Sequence, residues 1–242
     1  MSNAEARDIS RSEVWRMFDR IAPRYDLLNR CLSFGRDIAW RKRMAGSLKG
    51  RPPQRLLDLA TGTGDQIFHL IAAGAPLREA IGMDMSEEML AVGAAKLKRR
   101  PLGFPVTLAR GDATAIPCED AVFDAVTIAF GIRNVEDVSR GLTEMYRVLV
   151  PGGRVLILEF SLPGNAFVRW GYLLYFRHIL PLIGGWISGD ISAYRYLNRT
   201  VETFPHGEVF CDRVREAGFS NVTAIPVTFG VATIYQGDKS AT

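Results

Sequence analysis

The stretch "LLDLATGTGD", from Leu56 to Asp65, joins an apolar run to a glycine-rich turn, and an acid lies on each side of that turn. An apolar run, a glycine-rich turn and a helical pattern in this order are typical of a βα unit that binds a nucleotide. In an open α/β sheet, ligands bind beyond the carboxyl ends of the strands, where the strand order reverses. The stretch therefore predicts both a fold class and the place of a site.

Strand and helix patterns alternate after this stretch. The strand patterns are RLLDLA, EAIGMD, VTLAR, FDAVTIAF and RVLILEF, followed near the carboxyl end by NVTAIPV and GVATIYQ. The short link at Thr228–Phe229 predicts a hairpin between the last two strands. The alternation predicts an α/β, Rossmann-like, doubly wound sheet with seven mostly parallel strands and an antiparallel last strand. Apolar residues at helical spacing before Leu56 predict N-terminal helices, broken at Pro23 and Gly35.

The same patterns divide the chain into four predicted regions. These are an N-terminal helical lid at 1–50, a Rossmann-like cofactor-binding core at 51–160, a helical cap or lipid-substrate insertion at 161–205, and a carboxyl-terminal helix with strands that complete the core sheet at 206–242.

The composition excludes some classes of function. Apolar residues make up 48% of the 242 residues and charged residues 23%, as in ordinary globular proteins. The net charge of +4 is too small to indicate nucleic-acid binding, and the densest basic run, Lys96 to Arg100, is predicted to lie at a helix end. Three cysteines, far apart and outside any CxxC pattern, indicate a reducing cytoplasm. The three histidines have no metal-binding spacing, so no metal is expected.

The glycine-rich turn departs from the common phosphate-binding motifs. A dinucleotide fingerprint needs a third glycine, but Asp65, Gln66 and Ile67 follow Gly64. No lysine follows either, so the turn is not a P-loop. Asp65 would also repel a pyrophosphate at the start of the next helix.

Acids at successive strand ends indicate a different ligand. Asp58 could accept hydrogen bonds from an ammonium group, and Asp84 could accept both hydroxyls of a ribose. Asp112 and Ala113 are placed to meet an adenine through a carboxylate and a backbone N–H. Each acid alone could instead be a turn residue or a helix cap. Together, an ammonium, a ribose and an adenine without phosphates describe S-adenosylmethionine.

Four blocks of sequence carry a resemblance to a known family. They are FDRIAPRYDLLN with SFGRDIAWR at Phe18–Arg41, LDLATGTGD at Leu57–Asp65, TIAFGIRNVED at Thr127–Asp137, and the run from RVLVPGGRVLILEFS to LPLIGGWISGDISAYRYL at Arg147–Leu197. The chain resembles the class I S-adenosylmethionine-dependent methyltransferases. More narrowly, it resembles the C-methyltransferases of menaquinone and ubiquinone biosynthesis, from about Val14 to Gln236.

The resemblance implies cofactor contacts at Thr63, Asp84, Asp112 and Ala113. Some relatives have a serine just before the "FG" pair, where this chain has Ala129, so only the Ala129 backbone is expected to contribute. With the residues inferred from the turn, the expected cofactor-binding set is Asp58, Ala60, Gly62, Thr63, Gly64, Asp84, Met85, Asp112, Ala113 and Ala129.

The resemblance also implies a reaction, namely methylation of a ring carbon of a polyprenylated quinol, with demethylmenaquinol as the expected substrate. The alternatives are a ubiquinone-pathway benzoquinol, another small aromatic or sterol-like lipid, and a non-catalytic subunit of a quinone-synthesis complex. The intact acids at strand ends argue against the last, because a scaffold need not keep them.

Three residues are the catalytic candidates. Arg133, in "FGIRN" after the fourth strand, is expected to stabilise a developing phenolate, because arginine stays protonated. Its structural alternative is a salt bridge with Glu136 or Asp137. Tyr25 and Asn29 lie one helical turn apart and are expected to face the substrate, or else to pack a lid helix.

The segment Ala166–Asp190 is apolar but is interrupted by Arg169, Arg177 and His178. Its longest uncharged stretch is too short to span a bilayer, which takes about 20 apolar residues. It is expected to be either a core segment of the cap or a lid that lines a prenyl tunnel and makes transient contact with a membrane surface. The expected location is cytoplasmic, with peripheral contact at the inner face of the membrane; the sequence leaves a homodimer open.

Overall fold

The computed structural model describes residues 14–100, 102–180, 182 and 191–241. Three short helices lead this part of the chain: α1 (Val14–Ile21), α2 (Tyr25–Leu32) and α3 (Arg36–Gly46). They are separated at the predicted breaks. Pro23 lies in a 3₁₀ turn between α1 and α2, and Gly35 precedes α3 with a φ of 71°. Glycine adopts this left-handed conformation without steric cost.

Seven strands form one sheet: β1 (Gln54–Leu59), β2 (Leu77–Asp84), β3 (Val106–Arg110), β4 (Phe123–Ala129), β5 (Leu149–Phe160), β6 (Ser220–Val227) and β7 (Ala232–Asp238). Their order is β3-β2-β1-β4-β5-β7-β6. Strands β1 to β5 pair in parallel, whereas β7 is antiparallel to both of its neighbours. The predicted fold class is confirmed, including the antiparallel last strand. The strand order reverses between β1 and β4, at the position predicted for the site.

Helices cover both faces of the sheet. Those that connect or flank the strands are α4 (Asp65–Ala72), α5 (Glu87–Arg99), α6 (Val138–Val148) and α9 (Glu208–Glu216). Helices α7 and α8 belong to the cap and are described below. Successive residues of β1 point to opposite faces. Leu57 packs with Leu142 of α6 on one face, and Leu56 packs with Met44 of α3 and Ile67 of α4 on the other. Ser86 caps α5, and its hydroxyl oxygen accepts a hydrogen bond from the Met89 N–H.

The cap leaves the sheet after β5. It contains α7 (Ala166–Leu174), a π-helical turn at Tyr175–Ile179 and α8 (Ile191–Thr203). An apolar cluster joins the cap to the N-terminal helices; among its buried members are Met17, Leu28, Met89, Phe176 and Tyr196. The N-terminal helices and the cap therefore share a core apart from the sheet. Residues 181 and 183–190 of the apolar segment 166–190 lie outside the described residues. The four-region division of the chain stays a prediction.

Candidate active site

The glycine-rich turn after β1 is held by the end of β2. Ala60, Gly62 and Gly64 all have positive φ, of 45°, 56° and 79°. The Gly62 N–H donates to the Asp84 carboxylate at 2.7 Å. A Cβ on Gly62 would lie 3.7 Å from the ring of Tyr25, so the lid helix α2 approaches the turn closely. The turn is thus fixed from below by the sheet and covered from above by the lid.

A first cavity lies beyond the carboxyl ends of β1, β2 and β3. Its walls contain the predicted cofactor residues Ala60, Gly62, Asp84, Met85, Asp112 and Ala113, together with Val14, Trp15 and Phe18 from α1. Among the described residues that line it, the charged ones are all acids, namely Asp84, Asp112 and Glu136. An acidic, largely apolar cavity disfavours a phosphate and suits a cation such as a sulfonium.

Backbone groups hold two acids of the first cavity, Asp84 and Asp112, in place. Asp84 accepts hydrogen bonds from the Gly62 N–H at 2.7 Å and from the Ser86 N–H at 2.9 Å. Burial raises the pKa of Asp84, and these hydrogen bonds oppose the rise. Asp112 accepts from the Thr114 N–H at 2.8 Å. Because each carboxylate retains lone pairs, both can also accept hydrogen bonds from ligand hydroxyl or amino groups.

A second cavity adjoins the first. Its apolar walls come from Met17, Phe18, Ile21, Leu28, Phe130, Phe160 and Leu197, and its polar side chains are Tyr25, Asn29, Arg133 and Tyr196. Phe18, Tyr25 and Phe130 line both cavities. The structure therefore brings the three catalytic candidates together in one mainly apolar space beside the first cavity.

Arg133 is a buried cation in the wall of the second cavity, with 5% of its surface exposed. Its Nη1 donates to Glu159 Oε1 and to the Phe130 carbonyl oxygen, both at 2.7 Å. The guanidinium carbon lies 5.6 Å from the centroid of the Phe160 ring. The alternative prediction, a salt bridge of Arg133 with Glu136 or Asp137, is wrong. Arg133 instead forms its ion pair with Glu159, at the end of the neighbouring strand β5. Arg133 is therefore held rigidly by a fully buried carboxylate.

Tyr25 and Asn29 share a face of α2, as their spacing predicts. Burial raises the pKa of the Tyr25 phenol, while its hydrogen bond with Asn29 and the charges of Arg41 and Arg133 oppose the rise. The phenol thus stays neutral at physiological pH and can donate or accept a hydrogen bond. This arrangement favours a positioning role over that of an anionic base.

Salt bridges fasten the lid helix to the glycine-rich turn. Asp26 of α2 accepts from the Thr63 hydroxyl at 2.6 Å and pairs with Lys96 of α5 at 2.5 Å. Lys96 also pairs with Asp65 at 2.7 Å and donates to the Thr63 hydroxyl at 2.8 Å. Arg30 pairs with Asp65 at 2.6 Å. Lys96 therefore bridges α5 to the lid and does not merely lie at a helix end.

The remaining predicted cofactor residues are not among the residues that line the first cavity. Asp58 is 1% exposed, and its carboxylate accepts from the Thr61 hydroxyl at 2.6 Å and the Thr127 hydroxyl at 2.5 Å. Burial raises its pKa to about 6, although both hydroxyls oppose the rise. Thr63 is 1% exposed, Gly64 precedes α4, and Ala129 ends β4. Their contacts with a cofactor stay predictions.

Several residues of the site were not predicted. Glu159 follows the pattern of the other strand-end acids, since it is the second-last residue of β5. Phe18 and Phe130 lie in quoted sequence blocks but carry no polar group that would mark them. Lys96 belongs to a basic run, Lys96 to Arg100, in which Lys98, Arg99 and Arg100 are exposed. The sequence therefore does not distinguish Lys96 from these solvent-exposed cations. Of these, Glu159 had a usable signal in the sequence.

Comparison with known proteins identifies the family to which the chain and its two cavities belong. The model of the ubiE/COQ5 methyltransferase family matches residues 5–239. The chain belongs to the ubiE/COQ5 methyltransferase family. It is 48% identical to the demethylmenaquinone methyltransferase of Thermus thermophilus, over 92% of this chain and 100% of that protein. It is 46% identical to the ubiquinone/menaquinone biosynthesis C-methyltransferase UbiE of Geobacter sulfurreducens, over 92% of this chain and 87% of that protein.

Solved structures share the fold of this family member. A SAM-dependent methyltransferase from Thermotoga maritima matches with a TM-score of 0.65 at 20% identity, over 93% of this chain and 99% of that one. The phosphoethanolamine N-methyltransferase 2 of Haemonchus contortus, in complex with S-adenosylmethionine, matches with a TM-score of 0.58 at 17% identity, over 82% of this chain and 52% of that one. The protein is a methyltransferase that uses S-adenosylmethionine. The predicted family, fold and co-substrate are confirmed, and the acidic first cavity fits a sulfonium compound.

Proposed function

We propose that this methyltransferase methylates a ring carbon of a polyprenylated quinol and that its substrate is demethylmenaquinol. The observation that carries the proposal is the second cavity, which is mainly apolar, contains a buried arginine and adjoins the first cavity. A fused aromatic ring with a prenyl tail needs an apolar space, and a ring hydroxyl needs a polar group within it. The name of the Thermus thermophilus relative supports the naphthoquinol over the benzoquinol.

The chemistry divides between the two cavities. When bound, S-adenosylmethionine supplies an electrophilic methyl group. A ring carbon becomes nucleophilic when a neighbouring hydroxyl gives its proton to solvent, so the protein must stabilise a developing oxyanion. Methyl transfer would leave S-adenosylhomocysteine, and the ring hydrogen that the methyl group replaces would depart as a proton. In the proposal, Arg133 supplies that stabilisation and Glu159 fixes the guanidinium. Tyr25 and Asn29 orient the ring, and the apolar walls of the second cavity exclude water, which strengthens the interaction between Arg133 and the oxyanion.

The test is a product assay with the purified protein. Demethylmenaquinol, or the corresponding demethylated benzoquinol, is kept reduced in detergent micelles with S-adenosylmethionine, and products are identified by mass spectrometry. We expect methylated menaquinol and slower or no methylation of the benzoquinol. If neither quinol is methylated by protein that binds S-adenosylmethionine, the catalytic proposal is wrong and the non-catalytic alternative gains support.

We also propose transient contact with a membrane surface, where a prenylated substrate resides. Among the residues that the structure describes, no helix is long and apolar enough to cross a bilayer. The cap instead exposes large apolar side chains, which are Phe167 (79% exposed), Trp170 (64%), Leu174 (47%), Ile179 (46%) and Leu182 (72%). Exposed aromatic and aliphatic side chains on one surface helix suit the interface of a bilayer. This contact would place the protein at the inner face of the membrane, in the cytoplasm.

Vesicle sedimentation tests the contact. We expect Trp170→Ser to bind anionic vesicles more weakly than the wild type does. We also expect added salt to weaken the vesicle binding of the wild type, because salt screens the attraction between exposed charges. The matched control is Val209→Ser, which removes a 62% exposed apolar residue from α9. Equal binding of the wild type and both variants would contradict the proposed surface.

A further inference from the structure

Two buried side chains beside the glycine-rich turn have hydrogen-bond donors without acceptors. Arg41 of α3 is 4% exposed, and Gln66, in the first turn of α4, is 1% exposed. Arg41 Nη1 donates to Gln66 Oε1 at 3.3 Å. Arg41 Nε and Gln66 Nε2 have no hydrogen-bond partner within the described parts of the chain. Because buried donors are nearly always paired in folded proteins, two neighbouring unpaired donors point to a ligand that brings acceptors.

The contact between the two side chains fixes the orientation of the amide. A guanidinium has donors only, so the Gln66 oxygen must face Arg41. The Gln66 NH₂ group is therefore directed away from Arg41 and remains a donor. The pair offers donors alone, which suits an anionic acceptor and excludes an ammonium or another cation.

Arg41 has a more distant counter-ion than the other cations near the glycine-rich turn. Lys96, Arg30 and Arg133 each pair with a carboxylate at 2.7 Å or less. The ion pair of Arg41 with Asp37 is 3.9 Å long, and Asp37 already binds Arg30. A buried cation without a close counter-ion is costly. Arg41 can therefore gain more from an anionic ligand than the other cations near the turn can.

The position of Arg41 connects it to the cofactor region. Its guanidinium carbon lies 5.1 Å from the centroid of the Phe130 ring, and Phe130 lines both cavities. Its charge also opposes the rise in pKa that burial causes in Tyr25 and Asp58. Gln66 follows the glycine-rich turn directly, as the second residue of α4, so the unpaired donors lie beside that turn.

We propose that Arg41 and Gln66 bind the carboxylate of the methionine part of S-adenosylmethionine. The two carboxylate oxygens match the two kinds of donor, and the carboxylate is the anionic group of this co-substrate. The assignment goes beyond the predicted cofactor set, whose members account for the ammonium, ribose and adenine but not for the carboxylate. It also leaves Arg133 to the methyl acceptor. The inference rests on the co-substrate and not on the quinol, so it stands or falls apart from the proposed substrate.

Calorimetry with two ligands tests the proposal on the full chain. S-adenosylmethionine and decarboxylated S-adenosylmethionine differ only in the carboxylate. We expect the wild type to bind S-adenosylmethionine about 10- to 100-fold more tightly, the range for charge-assisted hydrogen bonds. Arg41→Met should lose most of this preference and bind decarboxylated S-adenosylmethionine as the wild type does. The matched control is Arg43→Met, which makes the same change at an exposed position of α3.

A purely structural role for Arg41 would weaken the binding of both ligands equally, and that result would overturn the proposal. Unchanged binding of both ligands would overturn it as well. Gln66→Leu provides a second variant should Arg41→Met fold poorly, because it removes the Nε2 donor and keeps the charge of Arg41. It should reduce the preference for S-adenosylmethionine over the decarboxylated ligand, and an undiminished preference would count against the carboxylate site.

Discussion

The two cavities meet at Phe18, Tyr25 and Phe130 but are built in different ways. The first is made mainly from strand ends and turns, and its acids Asp84 and Asp112 are fixed by backbone N–H groups. The second is made mainly from α1, α2 and α8, and Arg133 in its wall is fixed by a side chain, Glu159. The first cavity is therefore organised by the sheet itself. The second depends on helices that fold over the sheet and on one buried ion pair.

Removing the counter-ion of Arg133 is expected to have the largest effect. Glu159→Ala should lower the free energy of unfolding by about 3–5 kcal/mol, because it leaves a buried charge unpaired. Urea unfolding measures the change. The double variant Arg133→Met/Glu159→Met should recover much of the stability, since neither charge then remains. A stable Glu159→Ala protein would show that the second cavity does not depend on this pair.

Asp58 should make the free energy of unfolding of the protein depend on pH. Its pKa is raised to about 6 in the folded protein, above its value in the unfolded chain. Its contribution to stability is therefore fully present below pH 4 and is lost as the pH rises through 6. From pH 4 to 7, the wild type should lose about 3 kcal/mol relative to Asp58→Asn, which cannot titrate. Parallel stability curves for the two proteins would contradict the raised pKa.

The strand-end acid Asp84 should matter for cofactor binding. Asp84→Ala is expected to weaken S-adenosylmethionine binding by about 1.5–3 kcal/mol, the range for losing charge-assisted hydrogen bonds. Asp120→Ala is the control, because Asp120 is an exposed acid that pairs with Arg147 outside the two cavities. Calorimetry on folded protein measures both. Wild-type affinity in Asp84→Ala would remove Asp84 from the ribose site.

Loosening the lid should have the smallest effect. Lys96→Met removes the bridge from α5 to Asp26 and Asp65, and should destabilise the packing of α2 against the glycine-rich turn by about 1 kcal/mol. Hydrogen exchange of the α2 amides should become faster, whereas Lys98→Met, on the exposed side of α5, should leave it unchanged. If exchange in α2 is the same in both variants, the salt bridges do not fasten the lid.

The contrast between the cavities explains what the sequence could predict. Asp84 and Asp112 were predictable because a parallel sheet brings strand ends to one edge, so that a one-dimensional pattern gives their position. Arg133 was placed by the same reasoning. Its partner was expected nearby in sequence, whereas Glu159 lies 26 residues away on the adjacent strand.

The contacts of long side chains were less predictable. Lys96 was expected at a helix end but reaches Asp26 across the glycine-rich turn. Asp58 was expected to face a ligand, yet two hydroxyls occupy its carboxylate, one of them from β4. Local patterns give the direction of a strand or helix, but such pairings depend on how separate elements pack.

The central claim is that Arg133 serves the methyl acceptor and leaves cofactor binding to the first cavity. The most direct test compares Arg133→Lys with the wild type in two measurements, calorimetric binding of S-adenosylmethionine and the rate of demethylmenaquinol methylation. Lysine keeps the charge but lacks the planar donors that Glu159 and the Phe130 carbonyl hold in place. We expect an unchanged Kd for S-adenosylmethionine and a kcat lower by about 10²- to 10³-fold. A raised Kd with an unchanged kcat would contradict the claim and assign Arg133 to the cofactor.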